Sequence, residues 1–246
     1  MTKDELILIT GASGGVGSCI TEGLIREGWR NVVCQYRNNR DDIAEILDRN
    51  ELDPEQRLLC ADLTSEADVK NLRTEINSRF GGVRGLINLA GGSSNGMSWK
   101  MSLPEFRQIV DMNLTSTFLA CREFIPQMRE RGGGRIINTS SVVAFTGAAG
   151  ASHYCAAKAA IVGFTKSLAL ELAPKNIAVS AVALGYFKYG LIHSIPAEQQ
   201  DIIRRRIPAS EFGDAAHLTG LLSFLLSDAG AYSGGQVYHL NGGMYS

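Results

Sequence analysis

Short aliphatic and β-branched runs alternate along the chain with longer stretches whose apolar positions recur at helical spacing. This is the pattern of a parallel sheet covered by helices on both faces. Strands are predicted at Leu6 to Thr10, Asn31 to Tyr36, Arg57 to Ala61, Gly85 to Asn88, Arg135 to Ser140, Ile177 to Ala183 and Gln236 to Leu240. Helices fit between them at about 15–28, 40–50, 65–80, 103–130, 153–173 and 214–227, with a less regular helical insertion near 187–206. Seven strands and their crossovers use up the chain. No Ser/Pro-rich linker, internal repeat or low-complexity tract interrupts the alternation, so residues 1–246 read as one α/β domain with a doubly wound seven-stranded parallel sheet. The stretch at about 185–212 reads as a substrate loop and helical insertion.

With 246 residues, 45% apolar and 20% charged, the chain is long and oily enough to bury one large core, which excludes disorder and collagen-like repetition. Its 24 Lys and Arg against 25 Asp and Glu leave a formal charge of -1. No global field draws in nucleic acid or an anionic bilayer, so neither is expected as a partner. The uncharged run from Ile136 to Ala157 is broken by Ser, Thr, Gly and His153, and reads as strand plus loop, not as a membrane span. Five cysteines, odd in number and never in CxxC, give neither a disulfide framework nor a zinc knuckle. A reducing cytoplasm is expected, and the first residues carry no signal-peptide pattern. His193, His217 and His239 share no metal-ligand spacing, so no metal is expected.

An open parallel sheet places its ligand crevice at the carboxyl ends of its strands. After the first predicted strand comes Thr10-Gly11-Ala12-Ser13-Gly14-Gly15-Val16-Gly17, opening a helix. Glycines there permit a tight turn and close backbone approach to a pyrophosphate, which the helix N-terminus stabilises. Gly11, Ser13, Gly15, Val16 and Gly17 are the candidate contacts. The stretch lacks the Gly-Lys-Ser/Thr ending of a P-loop, which disfavours NTPase chemistry.

Tyr154-Cys155-Ala156-Ala157-Lys158 follows later, and i,i+4 spacing puts phenol and ammonium on one helix face. A free tyrosine titrates near ~10, so proton transfer near neutrality needs its ionised form favoured, and Lys158 is the nearby positive charge. The bland alternative is an ordinary helix-surface pair. Taken with the TGxxxGxG spacing of Gly11, Gly15 and Gly17, with Ser141 placed 13 residues before Tyr154, and with Asn113 in Asp111-Met112-Asn113-Leu114, the chain resembles the short-chain dehydrogenase/reductase family. The resemblance runs from Thr10 to the terminal Asn241-Gly242-Gly243-Met244-Tyr245, and it implies a single-domain Rossmann-type fold.

It also implies roles. Tyr154 would exchange the proton, Ser141 would hydrogen-bond the substrate carbonyl, Lys158 would hold the nicotinamide ribose, and Asn113 would order a water in the proton relay. Asp62 and Leu63 would meet the adenine, and Asn88, Ala90 and Gly91 the adenosine half. Leu89 stands where the family's second Asn is usual. For Asp62 the alternative is a helix N-cap.

The second predicted strand ends in Tyr36-Arg37, where an acid would suit a 2′-hydroxyl and a guanidinium suits a 2′-phosphate. NADPH/NADP+ is therefore the expected cofactor. Gly14 stands where many NADP-dependent relatives carry a second basic residue, Ser13 offers a hydroxyl instead, and a solvated Arg37 is the alternative reading. After the sixth predicted strand the usual Pro-Gly and Thr become Leu184-Gly185 and Tyr189, with Gly185 still expected at the cofactor.

Met97 and Trp99, with Tyr186, Phe187 and Tyr189, would bring large apolar surfaces to the sheet edge and favour extended acyl chains, at ~0.8 kcal/mol per buried methylene. Ser141, Tyr154, Trp99, Tyr186, Phe187 and Tyr189 are thus the candidate substrate contacts. The alternative is that these aromatics pack only on their own helix. His153 is expected to point about 100 degrees away from the site, Cys155 to be a packing residue, and Arg204-Arg205-Arg206 to be solvated.

Within the family the chain most resembles the 3-oxoacyl-(acyl carrier protein) reductases. That implies NADPH-dependent reduction of a ketone to a secondary alcohol, with a small-molecule or carrier-linked 3-oxoacyl thioester as substrate. Acyl carrier protein is a candidate partner, although Leu170 and Glu211 depart from the usual docking arginines; Arg129, Arg131 and Lys175 offer another patch. A homotetramer built through the helices at about 103–130 and 153–173 is implied as well. Two alternatives stay open: a dehydrogenase for another alcohol or ketone (aromatic, polyketide or sugar), and a non-catalytic NADPH-binding sensor.

Overall fold

A computed structural model describes all residues from Met1 to Ser246. Seven strands, β1 (Ile7–Thr10), β2 (Val32–Tyr36), β3 (Leu58–Cys60), β4 (Gly85–Asn88), β5 (Gly134–Ser141), β6 (Ile177–Leu184) and β7 (Val237–Leu240), form one sheet in the order β3-β2-β1-β4-β5-β6-β7. Every neighbouring pair is parallel. The helices are α1 (Gly15–Arg26), α2 (Asp41–Arg49), α3 (Pro54–Arg57), α4 (Glu66–Phe80), α5 (Leu103–Val110), α6 (Ser116–Glu130), α7 (Val143–Thr146), α8 (Ser152–Leu172), α9 (Ala197–Arg206) and α10 (Ala215–Leu226).

The two-residue period of a strand sorts its side chains onto two faces. Ile7 and Ile9 of β1 join Ile20, Leu24, Trp29 and Leu222 in one core, while Leu8 joins Ile76, Phe124 and Leu168 in the other. Both faces of the central strands are therefore apolar, which is why they read as continuous hydrophobic runs. The strand order reverses between β1 and β4, and the paired ends Thr10 and Asn88 mark the crevice. Thr10 braces that crevice: its Oγ1 accepts from the amides of Leu89 at 3.2 Å and Ala90 at 3.3 Å.

All seven predicted strands are present with no end shifted by more than one residue, but the single helix expected at 103–130 is broken. A π-turn at Asp111–Thr115 separates α5 from α6. Nothing in the sequence breaks a helix there. The side chain of Asn113 takes the place of a backbone donor, giving Nδ2 to the Ile109 carbonyl at 2.8 Å. The expected insertion resolves into a 3-10 turn at Gly190–Ser194 and α9, and the short α3 and α7 were not anticipated.

Candidate active site

A cleft of about 550 Å³ runs over the carboxyl ends of the strands. Its floor is the glycine-rich turn. Gly11 has φ of 63°, the left-handed region, and a Cβ on Gly17 would lie 2.2 Å from the Gly11 carbonyl oxygen, so neither position admits a side chain. Gln35 holds the turn in shape, with Oε1 accepting from the Gly11 amide at 2.9 Å and Nε2 donating to the Ala61 carbonyl at 2.7 Å. Sequence reading passed over Gln35, although a polar residue inside Val32-Val33-Cys34-Gln35-Tyr36 was a visible signal. The N-cap of α1 is Gly14, which has no side chain to cap the helix, and the first turn has no acid. The amides of Gly15, Val16 and Gly17 donate to no backbone carbonyl, so the positive end of α1 faces the cleft without a protein partner. That is a fit for a pyrophosphate.

At the adenosine end the lining includes Ser13, Arg37, Asp62, Leu63, Ala90 and Gly91, together with Asn38, Asn39 and Thr64. Ser65 caps α4, which leaves Asp62 out of that role. The Thr64 amide and hydroxyl donate to Asp62 and hold its carboxyl below the usual range. Two expected contacts lie elsewhere. Tyr36 alternates to the other face of β2 and packs against the first core. Asn88 is buried beneath the sheet, where Nδ2 donates to Asn138 Oδ1 at 2.9 Å, and Asn138 in turn donates to Thr165 Oγ1 at 2.9 Å. This polar ladder ties β4 to β5 and α8.

Tyr154, Lys158 and Asn113 line the cleft's other end. Ser141, at the end of β5, is set back from that lining, with its Oγ accepting from the Val143 amide at 3.4 Å, yet it stands close enough to the Tyr154 phenol to lower it. Burial pushes the phenol up to about 12, and Ser141 offsets part of this. Lys158 is buried with Nζ donating to the Thr139 carbonyl at 2.9 Å, and burial alone lowers it to about 8. The ammonium stands 5.7 Å from the centroid of the Tyr154 ring. The expected lowering of the phenol by Lys158 is therefore corrected for the free chain: desolvation dominates both groups, and it favours a protonated, neutral tyrosine. Asn113 is fully buried, with Nδ2 given to the carbonyls of Gly92 and Ile109 at 2.8 Å each, while its Oδ1 has no partner. A Cβ at Gly91 would lie 2.5 Å from that Oδ1.

The aromatic wall expected around the substrate is not assembled. Trp99 is 78% exposed and lies off the cleft. Phe187 is 5% exposed in the first core, pressed against Gly213 where the two residues form an isolated bridge. Tyr189 turns to Asp214, donating to Oδ2 at 3.4 Å beside the Lys188 ammonium at 3.3 Å. Gly185 is pinned beneath Asn241, whose Cα a Cβ would meet at 2.6 Å, so Leu184, Gly190, Leu191 and Ser194 line the cleft instead. Tyr186 alone of the aromatic group stays close enough to Tyr154 to act on its phenol. The cause lies in pairing that no local pattern encodes: Gly213 donates to the Tyr186 carbonyl and Lys188 donates to the Gly213 carbonyl, at 2.9 and 3.0 Å. Phe187→Ala is accordingly expected to cost about 3 kcal/mol of stability in urea unfolding. Its chain-length preference should match that of the unaltered protein.

His153 is fully buried, and its Nε2 shares a hydrogen bond of 2.9 Å with Ser94 Oγ, tying the loop after β4 to α8. No helix is long and apolar enough to cross a membrane, and no group of three or more His, Cys, Asp or Glu converges.

A model of the short chain dehydrogenase family matches residues 5–200. Over 237 residues the chain is 35% identical to Nodulation protein G of Rhizobium sp. (strain N33), covering 96% of this chain and 95% of the relative. It is 34% identical over 239 residues to a 3-oxoacyl-(acyl-carrier-protein) reductase of Staphylococcus epidermidis, covering 97% and 98%. It is 33% identical over 244 residues to the Escherichia coli (strain K12) protein of the same name, covering 99% and 98%.

Proposed function

The chain belongs to the short chain dehydrogenase family and is an oxidoreductase dependent on a nicotinamide cofactor, and from that premise we propose that it reduces a 3-oxoacyl thioester to the 3-hydroxy form with NADPH. The observation that carries this reading is the single cleft that joins an uncapped helix terminus, an unpaired guanidinium at the end of β2, and a neutral phenol beside a buried ammonium. The relatives named above, two of them 3-oxoacyl reductases, support the substrate class.

The residues present suit the cofactor. The free amides of Gly15, Val16 and Gly17 would hold its pyrophosphate, Asp62 and Leu63 its adenine, and Arg37 its 2′-phosphate. Lys158 would hold its nicotinamide ribose. When bound, that group supplies the hydride. Tyr154, protonated at neutral pH like any phenol and held more firmly so by its burial, gives its proton to the substrate oxygen as negative charge develops there. Ser141 orients that oxygen with its hydroxyl. The Lys158 cation stabilises the phenolate left behind. Asn113 offers its free Oδ1 to a water that can pass a proton towards Lys158. Ketone, hydride and proton together make the secondary alcohol, so the step balances.

The reading is tested by following NADPH oxidation with 3-oxoacyl thioesters, other ketones and aldehydes. Turnover of the thioesters above the rest is expected. Tight NADPH binding with no turnover of any ketone identifies a sensor instead. For the cofactor, Arg37→Ala is expected to lower the ratio of kcat/KM for NADPH over NADH by about 10- to 100-fold, the range for a hydrogen bond to a charged group. An unchanged ratio shows a solvated arginine. Exposed Leu103, Phe106 and Phe118 on α5 and α6, and Leu170 on α8, support assembly as a homotetramer, which light scattering in solution tests.

A further inference from the structure

Beyond Arg37 the cleft opens into a second recess of about 410 Å³, which shares Arg37, Asp62, Thr64 and Met112 with it. The remaining wall comes from α5 and the start of the π-turn, including Arg107, Gln108 and Asp111. Two guanidiniums from distant parts of the chain thus line one recess. Many surface arginines hold carboxylates, as Arg26, Arg40, Arg49, Arg79, Arg84 and Arg122 do, whereas Arg129, Arg131, Arg205 and Arg206 hold none and stand on open surface outside both recesses. Arg37 and Arg107 hold none. The acids of the recess are engaged otherwise: Asp62 Oδ1 accepts from the Thr64 amide at 2.9 Å and hydroxyl at 2.7 Å, and Asp111 Oδ1 accepts from the Thr115 hydroxyl at 2.9 Å. The two carboxylates balance the formal charge of the recess, and Arg37 helps to hold Asp62 ionised, but neither carboxylate forms an ion pair with either guanidinium, so the donors of both forks stay free for an incoming anion. The planar fork of guanidinium donors matches the oxygens of a phosphate. The glycine-rich turn, meanwhile, carries no basic residue at all.

We propose that Arg107 is a specificity-determining residue for the cofactor's 2′-phosphate, acting together with Arg37 across the recess the two share. The inference rests on the NADPH reading above. It assigns to α5, the first part of the segment expected at 103–130 to carry Asn113 and to build a homotetramer, a share in choosing the cofactor. Gln108 and Thr64 supply neutral hydrogen-bonding groups in the same recess.

The test is the dissociation constant of NADPH and of NADH, read by nicotinamide fluorescence, for the unaltered protein, R37Q, R107Q and R107K. Competition by adenosine 2′,5′-bisphosphate and by adenosine 5′-monophosphate checks that the effect follows the phosphate. R107Q is expected to weaken NADPH and the bisphosphate by about 10-fold or more, with NADH and the monophosphate unchanged. The unchanged NADH affinity also shows that the variant is folded. R107K, which keeps the charge and loses the fork, restores part of the loss. Preference for NADPH that survives R107Q and disappears in R37Q overturns the role of Arg107 alone. Equal weakening of NADPH and NADH by R107Q overturns it too, as a structural effect. An unaltered protein that binds both cofactors equally overturns the NADPH reading, and this inference with it.

Discussion

Replacing Tyr154 with Phe is expected to lower turnover by about 100-fold or more, because general acid catalysis by a positioned side chain contributes about that much and the phenol is the proton donor that the cleft presents. The ring is retained, so the packing around it and the 5.7 Å approach of the Lys158 ammonium survive. Cofactor affinity should stay nearly constant, since the hydroxyl is the group removed. Stopped-flow single turnovers with saturating NADPH separate the two effects. The phenol of the free chain is pushed up to about 12, so it remains protonated throughout the neutral range, and its loss should be felt equally at pH 6 and pH 8. Full turnover in the Phe variant would remove Tyr154 from its assigned role.

Lys158→Met is expected to change activity and stability in opposite directions. The ammonium is buried and its burial lowers it to about 8 from an ordinary 10.5. In the folded chain the proton is therefore held less tightly than in the unfolded chain, and below pH 8 the charged, buried group destabilises the native state. Each tenfold loss of proton affinity on folding corresponds to ~1.4 kcal/mol, and allowing for the lost hydrogen bond to Thr139, the variant free of cofactor should gain about 1 to 3 kcal/mol at neutral pH. The sign follows from proton counting: between about 8 and 10.5 the unfolded chain binds more protons, so the stability of the unaltered protein rises with pH and the variant's advantage shrinks. Thermal unfolding at pH 7 and pH 10 measures this. Catalysis should move the other way, with kcat/KM falling by about 100-fold or more as the cation is lost from the ribose and from the phenolate. A variant that is both less stable and still active would place Lys158 outside the site. Such a residue is stored instability, kept where a ligand can answer it.

The fold was legible because each strand of a doubly covered sheet is a short apolar run, and such runs survive in any context where both faces are buried. The alternation of strand and helix then prescribes parallel neighbours, and the β1 and β4 ends follow as the crevice. The glycine-rich turn was legible for a local reason: Gly11 takes a left-handed φ of 63°, and at Gly17 the backbone of Gly11 and Ala12 lies where a side chain would have to be. The spacing of Tyr154 and Lys158 was legible because one helix carries both.

What the sequence determined by itself was thus the sheet, the strand-to-helix turn that opens onto the crevice, and the pairings contained within one element. Only the tertiary structure decided which aromatic faces which cavity. Phe187 entered the core and Tyr189 turned to Asp214 because Gly213 pairs with their loop, a contact between segments more than twenty residues apart along the chain. Likewise Asn88 went beneath the sheet to Asn138, and Asn113 made a π-turn out of a continuous helical pattern. Lys158, expected to lower its tyrosine, is itself lowered, since burial is a property of everything packed around a residue and not of its neighbours in sequence.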